Sequence, residues 1–217
     1  MRRLAAASLV FLGGFAIMVL EIIGARFLAK DFGGSFYVWV SQIGVILIAL
    51  ALGYYLGGAW ADRFRRMAFL GCLLVPAGLV TVFIPDFAGP LIDAIVLRHP
   101  SAEPIPPLWQ KLDPAVGSAL IFLLPCFGLA TLSPYMIRLA TRQLAQVGRI
   151  SGLIIAASTA GSIVGVFVSG YVLIDHMKVS DIFRATGGLT ILLGALCFVL
   201  DRCFADVEAG DQSGSGK

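Results

Sequence analysis

The sequence predicts an all-α, polytopic membrane protein of about six transmembrane helices, and three observations carry that reading. Hydrophobic residues make up 59% of the 217 residues and charged ones only 13%, where a soluble domain carries about 25% charged residues. Apolar runs long enough to cross a hydrocarbon core of about 30 Å as helix recur six times. Most arginines gather on one side of the resulting alternation, while Lys30, Arg98, Lys111 and Lys178 fall on the other over longer total loop length.

The predicted spans cover residues 4–25, 37–60, 67–84, 115–137, 150–174 and 182–200. Met1-Arg2-Arg3 before the first run resembles a signal peptide, but the run exceeds an ordinary h-region and no A-x-A site follows, so a retained helix is expected. Between the third and fourth runs, residues 85–114 hold charges, Pro100, Pro104, Pro106, Pro107 and the interface-favouring Trp109. They predict a water-exposed connection, with Leu91, Ile92, Ile95 and Val96 forming a short interfacial helix. Pro125 and Pro134 are expected to kink the fourth span. Residues 201–217 are polar and rich in Gly and Ser, the composition of a disordered tail.

Arg2, Arg3, Arg63, Arg65, Arg66, Arg138, Arg142, Arg149 and Arg202 all fall on one side of a six-span chain, and this side is expected to be cytoplasmic together with both termini. The expected setting is a bacterial inner membrane. Each half has three spans, and the middle span of each holds glycines four apart: Gly53 and Gly57, then Gly161 and Gly165. Three spans per half force opposite orientations, so the order predicts a 3+3 inverted repeat.

Glu21 is the most informative residue. A carboxylate inside the first apolar run costs a few kcal/mol or more unless it is paired, protonated or wetted. Arg26, five positions on, points about 140° away and does not share its face. Arg184 near the outer end of the sixth span and Gln42 in the second are the candidate partners. Two readings stay open for Glu21: a buried ion pair that fixes helix register, and proton or cation handling. In the fifth span Ser158, Thr159 and Ser162 offer hydroxyls that line a path or bond their own i−4 carbonyls. His99 and His176 fall in predicted outer loops, where solvated histidines are the default. The net charge of +3 is accounted for by topology, so no nucleic-acid partner is expected. The four cysteines show neither CxxC spacing nor a neighbouring histidine, and neither a metal site nor a disulfide framework is expected.

After the second span, Gly58-Ala59-Trp60-Ala61-Asp62-Arg63-Phe64-Arg65-Arg66 resembles the loop signature of major facilitator transporters. The resemblance implies half of a major-facilitator fold and a cytoplasmic latch in which Gly58, Asp62 and Arg63 match. The signature's later glycine is replaced by Arg65. The plainer reading of the same arginines is positive-inside topology.

A wider likeness runs over roughly residues 10–200. Phe11-Leu12-Gly13-Gly14, Leu20-Glu21, Arg26-Phe27-Leu28 and Phe32-Gly33-Gly34-Ser35 carry it in the first half. Ser133-Pro134-Tyr135, Arg138-Leu139, Ser151-Gly152 and Ser158-Thr159-Ala160-Gly161-Ser162 carry it in the second. These segments resemble the membrane domain of bacterial spermidine synthase-like proteins. There the domain accompanies a soluble aminopropyltransferase, which this chain lacks: no G-x-G-x-x-G follows a strand pattern. The resemblance implies no catalysis and no cofactor in this chain itself, and a link to polyamines. Two functions follow as expectations: a transporter-like module for a cationic amine or related small molecule, completed by a homodimer, or a membrane anchor for a separately encoded aminopropyltransferase-type enzyme.

Overall fold

The computed structural model describes residues 2–34, 36–99, 105–141 and 146–214, with side chains from residue 4 to residue 201 within those ranges. The described residues hold helices and no strand. In order they are α1 (Arg2–Phe32), α2 (Phe36–Phe64), α3 (Met67–Val96), α4 (Pro107–Ala130), α5 (Leu132–Ala140), α6 (Val147–Val168), a π-helical turn (Ser169–Leu173), α7 (Ile174–His176) and α8 (Val179–Gly214). Six stretches are long and apolar enough to cross a membrane: Leu4–Phe32, Phe36–Phe64, Met67–Val96, Pro107–Ala140, Val147–His176 and Val179–Asp201. These are spans 1 to 6 below, and the chain is a multi-pass, all-α membrane protein.

The helices reach further than the apolar runs. Residues 85–96 are not loop: α3 continues through Pro85 and Pro90 to Val96, so the expected interfacial helix is its last turns. The connection between spans 3 and 4 narrows accordingly, because α4 already starts at Pro107 with proline at its first position. A proline there gives up no bond, since the first N–H groups of a helix lack intrahelical partners. Residues 201–214, read above as a polar tail, continue the backbone of α8 beyond its apolar part. The break expected in span 4 falls at Thr131, between α4 and α5, three residues before Pro134, whose missing N–H interrupts the ladder.

Short turns join spans 1 to 2 and 2 to 3. Gly33 follows α1 at φ +82° and Arg65 follows α2 at φ +49°, both in the left-handed region where a helix commonly ends. The side chain of Asp201, at the end of span 6, accepts a hydrogen bond from the Ala68 N–H at the start of α3 (3.2 Å). That satisfies one of the free donors at the helix start.

Span 1 packs on span 5, span 2 on span 4 and span 3 on span 6, with lesser contacts between 3 and 4, 1 and 6, 1 and 4, 1 and 2, and 4 and 5. Exchanging 1 with 4, 2 with 5 and 3 with 6 turns this set of contacts into itself. The glycines show the same exchange residue by residue. A Cβ on Gly161 would strike the Phe11 carbonyl, and one on Gly53 would lie 2.8 Å from the Phe127 carbonyl. Gly165 meets the backbone of Phe15, and Gly57 that of Thr131. Both crossings are therefore parallel. Spans 3 and 6 run antiparallel: Gly71 packs on Phe198 and Gly78 on Ile191, while Gly187 packs on Val82 and Gly194 on Val75. The displacement along the chain from Gly71 to Gly187 is the one from Gly78 to Gly194, and the one from Phe11 to Phe127. The fold is a 3+3 inverted repeat, and absent Cβ atoms set its closest crossings.

Candidate functional site

Glu21 lies half-buried in span 1 and has no hydrogen bond or ion pair with any described residue. It stands two turns beyond Gly14 on the same helix face, the face that packs on α6 at Ser158. None of the proposed partners joins it. Arg184 instead pairs with Asp86 at 3.5 Å, both side chains more than half exposed, which links the ends of spans 6 and 3. Arg26 is exposed and unpaired among the described residues.

Gln42 is fully buried and ties three spans together. Its amide N–H donates to the Leu20 carbonyl (3.4 Å) and its Oε1 accepts from the Ser118 hydroxyl (2.6 Å). A Cβ at Gly24 would collide with this amide, so glycine lets α1 lie close enough for the network to form. Gln42 thus fixes the backbone beside Glu21 and leaves the carboxylate free. The fifth-span hydroxyls bond between helices and not to their own turns: Ser162 donates to the Gly14 carbonyl and Ser133 to the Ser158 hydroxyl, each at 3.4 Å. Thr159 is exposed.

At the arginine-rich end, the structure brings together residues that the sequence placed in separate halves. The Asp62 carboxylate accepts from Arg138 Nε at 2.5 Å, with the side chains 67% and 42% exposed. Tyr135, fully buried, donates its hydroxyl to the Arg66 carbonyl (2.8 Å). Gly58 faces Pro134 across ordinary van der Waals distance. Arg63 reaches no carboxylate among the described residues and lies over the Phe64 ring, 5.8 Å from its centroid. Phe69 stacks on Phe64 and on Tyr135 and meets Trp60 edge-on. The Asp62 turn is thus joined to span 4, and the exposure of the ion pair limits it to about 1 kcal/mol or less.

At the opposite end, a cluster forms that the sequence did not disclose. Asp113, 4% exposed near the start of α4, is bonded by the Arg98 guanidinium and by His99 Nε2 (2.8 Å). Arg98 also lies over Trp109, 4.1 Å from the ring centroid. His99 is therefore no solvated loop residue: its side chain is 11% exposed, and the carboxylate contact requires a proton on Nε2. The acid and its partners lie fifteen and fourteen residues apart in sequence, across the connection between spans 3 and 4.

The π-helical turn in span 5 holds a second surprise. The Ser169 hydroxyl is buried there with no hydrogen-bond partner among the described residues. Beside this turn a cavity of about 170 Å³ opens between spans 1, 5 and 6. Comparison with family models, with curated proteins and with solved structures finds no match.

Proposed function

We propose that this chain is a transporter-like membrane module that moves a cationic amine or a related small molecule, with Glu21 as the group that meets the cargo's charge. The observation that carries the reading is the half-buried, unpartnered Glu21 carboxylate within span 1. A carboxylate fixed for packing alone would have a cationic or hydrogen-bonding neighbour. Here Gln42, the nearest amide network, is spent on Leu20 and Ser118. An intramembrane acid left without a protein partner is suited to a transient one, whether a proton or an ammonium group. The likeness to the membrane domain of spermidine synthase-like proteins makes a polyamine the first cargo to test.

The experiment is uptake of labelled spermidine by proteoliposomes, with Glu21→Gln alongside. Uptake is expected from the parent chain and a loss of tenfold or more from the variant. The variant is expected to unfold at an equal or higher temperature in detergent, because an unpaired charge has been removed. Equal uptake by both proteins, or a Glu21→Gln protein that is less stable, would overturn the assignment of Glu21. No uptake of any amine, with a soluble enzyme co-purifying, would favour the anchor reading.

A further inference from the structure

The cavity between spans 1, 5 and 6 is a crevice as deep as one leaflet of a bilayer. Gly161 and Gly165 hold span 5 in backbone contact with span 1 at Phe11 and Phe15. Past them comes the π-helical turn, and the crevice lies between its Leu173, Met177, Phe15 and the first turns of span 6 at Ile182, Ala185 and Leu189. Met177 and Ala185 are exposed, so the crevice opens sideways. Span 6 starts at Val179, and Leu189 stands ten residues, about 15 Å, further in. That is half of a hydrocarbon core of about 30 Å, so the crevice runs from the end of the span to the middle of the membrane.

Water is a poor filling for this space. A volume of about 170 Å³ would take several molecules, each in need of about two to four polar partners. Of the described lining side chains only Thr186 carries a hydroxyl, and it is spent on the Ile182 carbonyl of its own helix (2.8 Å). Nor does the chain fill the space itself. At the inverted counterpart, where span 2 packs on span 4 beside span 3, Phe69 stacks on Phe64 and Tyr135 and meets Trp60 edge-on. Phe15, the ring in the crevice wall, meets no other ring among the described residues. Two charges lie next in the chain to lining residues: Lys178 follows Met177 and Asp181 precedes Ile182. They meet at the start of α8, where the Asp181 N–H donates to the Lys178 carbonyl (2.9 Å). Both side chains are exposed, and neither has a partner among the described residues. Asp175, also exposed, adds a second acid two residues before Met177.

We infer that the crevice binds a zwitterionic phospholipid: one acyl chain lies between spans 1, 5 and 6, the phosphate meets Lys178 and the headgroup ammonium meets Asp181. An apolar slot with its polar groups already satisfied suits a hydrocarbon chain, and its depth is the depth such a chain occupies in one leaflet. The charges select the headgroup. An anionic lipid would set its surplus charge beside Asp175 and Asp181 with nothing to answer it, whereas a phosphate and an ammonium together answer Lys178 and Asp181. The site takes no residue from the transporter reading and stands whether or not the chain moves a cargo.

The test is native mass spectrometry of the whole chain in detergent with phosphatidylethanolamine, phosphatidylcholine or phosphatidylglycerol of equal acyl length, paired with the unfolding temperature at rising lipid concentration. The parent is expected to keep one phospholipid per chain and to hold the two zwitterionic lipids about two- to tenfold better than the anionic one. Its unfolding temperature is expected to rise as they are added. Ala185→Phe sets a ring in the crevice and is expected to lower retention about tenfold and to abolish that rise. Ala185→Leu, a smaller filling, guards against a variant that fails to fold. Ile163→Phe, exposed on span 5 and outside the crevice, is expected to keep the parent's retention. Lys178→Gln is expected to lower retention about two- to fivefold. Retention unchanged in both Ala185 variants, or an equal loss in Ile163→Phe, would overturn the site. Phosphatidylglycerol held as well as or better than the other lipids would overturn the headgroup assignment. A dimer mass lost in the Ala185 variants with bound lipid unchanged would overturn the lipid in favour of a second copy of the chain.

Discussion

Arg65 occupies the position where the major-facilitator signature has its later glycine, and its backbone shows why a glycine suits it. At φ +49° a side chain pays the steric cost of left-handed geometry, about 1–2 kcal/mol. Among the described residues, what its side chain gains is a long contact from its Nε to the Asp62 carbonyl at 3.4 Å. Arg65→Gly is expected to raise stability by about 1 kcal/mol after the greater freedom of the unfolded glycine is subtracted, read as a higher unfolding midpoint in detergent. A lower midpoint would mean that the Arg65 side chain holds the turn. Glu21 and Gln42 show how far single residues were legible. Both polar groups stood out against apolar sequence, but hydropathy gives no azimuth between helices, so Gln42 proved to be a structural bond and Arg184 found Asp86. Asp113 and His99 could not be paired from sequence, because neither the length of α3 nor the start of α4 at Pro107 is written in hydropathy.

At the scale of elements, glycine marks the closest approaches. A Cβ on Gly78 would lie 2.8 Å from the Gly187 carbonyl and one on Gly187 would lie 2.7 Å from the Gly78 carbonyl, so spans 3 and 6 touch backbone to backbone. Gly78→Val is expected to cost about 1–3 kcal/mol by overpacking. Gly44→Val, at a position with nothing within 4 Å, is expected to leave the unfolding midpoint nearly unchanged. Equal effects from the two would show that intrinsic helix propensity, and not the crossing, sets the outcome. The pairs Gly53/Gly57 and Gly161/Gly165 were legible as four-residue spacings. The seven-residue pairs Gly71/Gly78 and Gly187/Gly194 were not singled out, although their equal displacement between halves was a readable signal. Span ends were legible least, because hydropathy registers lipid and not the hydrogen-bond ladder, which in α3 runs on past Pro85, Asp86 and Pro90.

At the scale of the whole molecule, burial is unequal in a way that follows the repeat. Spans 2 and 5, inverted counterparts, are the least enclosed, with 39% and 22% of their apolar windows buried. Ser158, Ser162 and Glu21 lie along the crossing of spans 1 and 5, so a second copy laid on these spans would cover both the exposed helices and the border of the acid. A dimer in bilayers is therefore expected, measured by single-molecule photobleaching at low protein-to-lipid ratio. Strictly single-step bleaching would leave the six spans to work alone.

The antiparallel seam between spans 3 and 6 has a consequence for how the halves insert. Gly71 and Gly78 recur as Gly187 and Gly194, each packing on the other half at matching places, so the seam is self-complementary under a half-turn. A three-span chain with glycines at these two places could meet a copy of itself only if that copy were inserted upside down in the same membrane. The seam is thus the contact that two oppositely inserted three-span units would make, held here within one chain.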